Sequence, residues 1–168
     1  MFHFSPRTLA HRAIRAILVV TMVLVALVAS TSAASAESVC KSGTGYANCF
    51  EITERAIDYE IYIGIDIYMS RQDAEAIISP PGEEFSATVM GQDTLWDNAL
   101  FTVPVKGSWA SDSGLSAEFT RVVNGSSLDE DWEGEDEVYG RIRLYDPRSR
   151  ETLTFTTKVI HEYFHSYP

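Results

Sequence analysis

The stretch Ala56-Ile-Asp-Tyr-Glu-Ile-Tyr-Ile-Gly-Ile-Asp-Ile-Tyr-Met69 alternates without a break. Ile57, Tyr59, Ile61, Ile63, Ile65, Ile67 and Met69 share one parity; Asp58, Glu60, Tyr62, Gly64, Asp66 and Tyr68 share the other. A period of two belongs to a β-strand with one face buried. The run is long for one strand, and Gly64 marks a bulge or bend within it. The reading then extends toward the C-terminus. Ser70 with Asp73 predicts a capped helix of one or two turns over 71–78, stopped by Ser79-Pro80-Pro81-Gly82. Strands are expected over 85–90, 100–105, 115–123, 138–145 and 152–163, with Pro104 at a strand end. Breakers separate them at 91–93, 107–114 and 124–127. Short strands at this spacing with almost no helix predict an all-β fold, an antiparallel β-sandwich of about seven or eight strands.

Toward the N-terminus the chemistry changes. Arg7, Arg12 and Arg15 precede an apolar stretch over 16–29, and Ala34-Ser35-Ala36 follows it. A basic head, a short apolar run and an A-x-A site read as a cleaved signal peptide over 1–36. The run is shorter than the roughly 20 residues of a membrane-spanning helix. The expected product is secreted or periplasmic, with a disulfide-closed segment over 37–54 and a sandwich domain over 55–168. Cys40 and Cys49 flank a flexible Lys41-Ser-Gly-Thr-Gly-Tyr-Ala-Asn48, so a local disulfide is expected outside the cytoplasm, worth roughly 2–3 kcal/mol by loop closure.

The whole chain carries a net charge of −11, with 13 basic and 24 acidic residues. Loss of three arginines and no acids with 1–36 leaves ten against 24, or −14. Such a surface repels nucleic acid and anionic membranes. It leaves cations, basic proteins and cation-bridged contacts as partner classes.

The acids concentrate in Asp129-Glu-Asp-Trp-Glu-Gly-Glu-Asp-Glu137, where seven of nine residues are acidic. Between two strands this is a loop tip. Each like-charge pair at about 5 Å costs roughly 1 kcal/mol even in water, and a hard divalent cation removes that cost. Asp129, Asp131, Glu133 and Gly134 follow the opening of an EF-hand loop, but Gly140 stands where its bidentate glutamate belongs. The loop instead resembles the third calcium loop of a C2 domain, with Asp129 and Asp131 as the D-x-D pair. Asp136 or Glu137 stands as the later acid and Gly140 as the glycine opening the next strand; Tyr139 stands where the family has an aliphatic. The first calcium loop of that family is similar to 91–97, which offers Asp93 and Asp97. The resemblance implies an eight-stranded sandwich that binds calcium between loops at one end. A run of like charge is otherwise a solvated loop. Trp132 in one loop and Leu95-Trp96 in the other are contact residues or, as expected here, rings folded down over the end of the core.

Both histidines beyond residue 36 fall in His161-Glu162-Tyr163-Phe164-His165. In zinc proteases H-E-x-x-H lies on a helix, with both imidazoles on one face and the glutamate activating water. Here Leu153, Phe155, Thr157 and Val159 alternate into it as a strand, which would hold the imidazoles about 13 Å apart. The expectation is therefore a non-enzymatic, calcium-dependent binding module for an unknown protein or surface ligand, with no direct binding to anionic membranes unless calcium bridges it. A zinc hydrolase using the histidine motif, and a metal-free structural or partner-binding protein of the cell envelope, are the alternatives.

Overall fold

Alternation of apolar and polar residues builds two sheets that bury their inner faces against each other. The computed structural model describes residues 35–79, 84–93, 95–129 and 134–166; of the signal peptide expected over 1–36, residues 1–34 lie outside them. The order is β1 Ala36–Gly43, β2 Tyr46–Glu54, β3 Tyr59–Ile67, α1 Arg71–Ile78, β4 Phe85–Gly91, β5 Asn98–Val103, β6 Val105–Ser111, β7 Gly114–Val123, β8 Asp136–Asp146, β9 Glu151–Thr156 and β10 Ile160–Glu162. A 3-10 turn, Gly125–Ser127, follows β7. The first sheet runs β1-β2-β3-β7-β6; the second runs β5-β4-β8, with β9 and β10 both beyond β8. Every pairing is antiparallel. The all-β sandwich of the sequence reading is thus the fold. The stretch 55–168 supplies eight strands, and 36–54 adds two more, folded as the hairpin β1–β2 along β3.

The core follows from the register. Ile61, Ile63, Ile65 and Ile67 on β3 face Phe85, Ala87, Val89, Val138, Ile142 and Leu144 of the other sheet, with Leu115, Ala117 and Phe119 beside them. Phe85 and Phe119 meet edge to face across the layers at 6.2 Å. Gly140 lies on the inner face because a Cβ there would press on Ile63 Cδ1 at 3.1 Å. Ile57 departs from expectation. It is 69% exposed, because the chain turns at Arg55, whose N–H donates to the Asp58 carbonyl, before β3 begins.

The helix forms where its cap predicts. The Ser70 hydroxyl accepts from the Asp73 N–H and donates to the Asp73 carboxylate. Ala74 and Ile77 face inward. Asp73 also pairs with Arg148, which holds Asp146 at 2.8 Å.

Two features differ from the sequence reading. β6 occupies 105–111 and so runs through Gly107, where the sequence predicts a breaker over 107–114. The final strand is interrupted. Thr156 pairs with Arg141 and Ile160 with Val138, while the Thr157 N–H donates to the Gly140 carbonyl. Three steps from Thr157 to Ile160 oppose two steps from Gly140 to Val138, so one extra residue bulges between β9 and β10.

The disulfide joins Cys40 to Cys49, which are directly opposed on β1 and β2. Among the described residues, no helix is long and apolar enough to cross a membrane.

Candidate functional site at the rim of the sandwich

The loop over 92–97 lies against the strand that leaves the acidic run. Gly91, at the end of β4, pairs with Val138 of β8, and the Gln92 N–H donates to the Glu137 carbonyl at 2.7 Å. The Tyr139 hydroxyl donates to the Asp97 carboxylate at 2.7 Å. Burial, together with that acceptor and its charge, pushes the Tyr139 phenol up to about 12. Loop 92–97 is therefore fastened to the strand that leaves the acidic loop.

The predicted ligands fare differently. Asp131 and Glu133 lie outside the described residues, as does Trp132. Asp93 and Asp129 are exposed. Asp136 is buried on the inner side of β8, in line with Val138. Glu137, one residue on, points to the other side, with a carboxylate oxygen 3.6 Å from His161 Nδ1. Asp97 is taken by Tyr139. Asp97, Asp136 and Glu137 thus do not share a centre, and among the described residues no group of three or more histidines, cysteines or acids could hold a metal. The alternation of β8 is the physical reason: neighbouring residues of a strand face opposite ways.

Trp96 also departs from expectation. It does not fold over the core but stands 84% exposed, with Leu95 at 82%. Fully exposed large apolar side chains side by side at a loop tip are the pattern of a contact surface.

The histidine motif is not helical. His161 and Glu162 belong to β10, and His165 lies in the tail beyond it, where its backbone N–H donates to the Tyr59 hydroxyl at 3.0 Å. The paired imidazoles on one helix face that a zinc protease needs are therefore not formed.

Where the tail crosses the sandwich, Glu37, Glu54 and Glu162 line a hollow of about 80 Å³ with Tyr59, Phe164 and His165. Burial first, then a hydrogen bond to and the charge of Glu162, raise the Glu37 carboxyl above the ordinary glutamate range; Glu135 adds to this and His161 opposes it. Two carboxyls can hydrogen-bond only by sharing a proton. The folded protein therefore holds that proton more tightly than the unfolded chain. The resulting stability is present below the ordinary glutamate value and is lost as pH rises through the raised one. Glu37→Gln keeps the hydrogen bond without the charge. It should raise the melting temperature at pH 7 by about 1–3 °C and leave it unchanged at pH 4, given the discount for partial exposure. Equal shifts at both pH values would contradict the shared proton. No sequence signal pointed to this cluster, since Glu37 and Glu162 come from opposite ends of the chain and different sheets.

Scanned against known protein families and against curated proteins, the sequence matches none.

Proposed function

We propose that this chain is a secreted, non-enzymatic binding module whose working end is the rim of loops 92–97 and 129–135. Its partner is a protein or surface ligand, and calcium controls the contact. The observation that supports this reading most is the exposed Leu95-Trp96 pair on a loop hydrogen-bonded to the strand leaving the acidic run. An apolar tip offers contact area. The run 129–137 carries seven acids, a charge that repels most biological surfaces until a cation neutralises it. Asp129, Asp131 and Glu133, with Asp93 across the rim, are the residues that would hold the ion. Asp97, Asp136 and Glu137 have their own positions in the fold. The disulfide suits an oxidising compartment, where millimolar calcium fits sites of roughly 0.1–1 mM.

Calcium at 5 mM should stabilise the purified protein by about 1–2 kcal/mol, a few degrees in the melt, because it binds only the folded state. Magnesium at the same concentration should do much less. Asp129→Asn combined with Asp131→Asn should abolish the shift. Equal shifts for both ions, or none, would dispose of calcium control and leave a metal-free binding surface.

A further inference from the structure

The outer face of the first sheet carries an organised trough that the rim does not involve. Register sets it out in two rows. Cys49, Gly64, Glu118 and Gly107 lie side by side across β2, β3, β7 and β6; Ala47, Asp66, Ser116 and Trp109 form the next row. Gly64 makes room for an aromatic ring, and Gly107 has one beside it. A Cβ at Gly64 would meet the Tyr62 ring at 3.2 Å, so that ring lies along its own strand over the glycine. The Trp109 ring leans over Gly107, with Cζ3 3.9 Å from where a Cβ would sit. Tyr62 and Trp109 thus lean into the Glu118 row from its two sides. The space between them is about 300 Å³, at the low end for a small-ligand site.

The carboxylates are held in place. Glu118 accepts from the Tyr62 hydroxyl at 3.2 Å and pairs with Lys106 at 3.5 Å; Asp66 accepts from the Ser116 hydroxyl at 2.6 Å. Burial, then the charge and hydrogen bond of Glu118, then the charges of Asp66 and Glu51, raise the Tyr62 phenol above its ordinary value. The field in the trough is therefore negative, offset in part by the pairing of Lys106 with Glu118. Aromatic faces flanking fixed carboxylates suit one kind of guest: a planar or alkylated cation that stacks on the rings while its charge meets the acids.

We infer that this trough binds the guanidinium side chain of a basic peptide segment, stacked between Tyr62 and Trp109 and paired with Asp66 and Glu118. The inference does not depend on calcium at the rim. The charge of the protein would attract any basic peptide, so the test must separate a built site from general attraction.

A fluorescein-labelled peptide with one arginine among glycines, and its citrulline counterpart, would be titrated by anisotropy at 150 mM salt. The arginine peptide should bind at least tenfold more tightly than the neutral one. Trp109→Ala, which leaves every charge in place, should weaken it at least tenfold, and Asp66→Asn at least fivefold. Trp96→Ala, at the rim, should leave it unchanged. Equal binding of the two peptides, no binding by either, or full binding to Trp109→Ala would overturn the inference. Circular dichroism of each variant would confirm that the sheet is intact, and Trp109→Phe should restore most of the affinity.

Discussion

Phe119→Ala is expected to remove about 3–5 kcal/mol of stability, the usual cost of deleting a buried aromatic ring. Phe119 is fully buried at the middle of β7. It sits opposite Ile63 on one neighbouring strand and Val105 on the other, and it touches Phe85 of the second sheet. β7 is tied on both sides, so the backbone cannot close over the space the ring leaves. A domain of this size has roughly 5–15 kcal/mol in total. The variant should unfold at a much lower guanidinium concentration with an unchanged slope. A loss below about 1 kcal/mol would mean that the sheets do not meet at this ring.

Gly125→Ala is expected to cost about 2–3 kcal/mol, chiefly by lifting the C-terminal tail. A Cβ on Gly125 would fall on the His165 carbonyl, and it would also lie 3.1 Å from Cε2 of Tyr59. The clash is with backbone, so no rotamer relieves it. The tail must move, and with it go the burial of Phe164 and its edge-to-face contact with Tyr59 at 5.5 Å, an apolar contribution of about 1.5–3 kcal/mol. The bond from the His165 N–H to Tyr59 is lost too. The His165 amide should exchange faster with solvent. Phe164→Ala should destabilise by a similar amount, and the two substitutions together should cost far less than their sum. Full additivity, or a protected His165 amide in Gly125→Ala, would show that the tail is not held at this point.

The fold was legible where side-chain period and burial coincide. Ile61 to Ile67 gave β3 and its inner face, though Ile57 fell outside it, and Ser70 with Asp73 gave the helix to the residue, because a cap is a local bond. It was less legible where glycine has a tertiary role. Gly43-Thr44-Gly45 reads as slack between two cysteines but turns a hairpin, with Gly45 at φ +82°. Gly107 reads as a breaker but lies under Trp109 inside β6. Of the candidate site, the sequence placed two acidic stretches at one end, and register sets the end of β4 beside the start of β8. It could not show that Asp136 turns inward, that Tyr139 occupies Asp97, or that Glu37 meets Glu162. Each of these depends on which strands pair and in which register.

The extra residue between β9 and β10 also sets parity. Leu153 and Phe155 stand opposite Leu144 and Ile142, so odd-numbered positions of β9 share the inward side. After the bulge Ile160 stands opposite Val138, and the even positions take over. If the strand paired regularly through this point with every residue retained, the surroundings of two ionisable groups would be exchanged at once. His161 would leave Glu137 for the apolar interior, and Glu162 would leave the neighbourhood of Glu37 for water. Deleting the extra residue would instead leave Ile160 opposite Val138 and His161 opposite Glu137, so it is the bulge that holds both groups in their present surroundings.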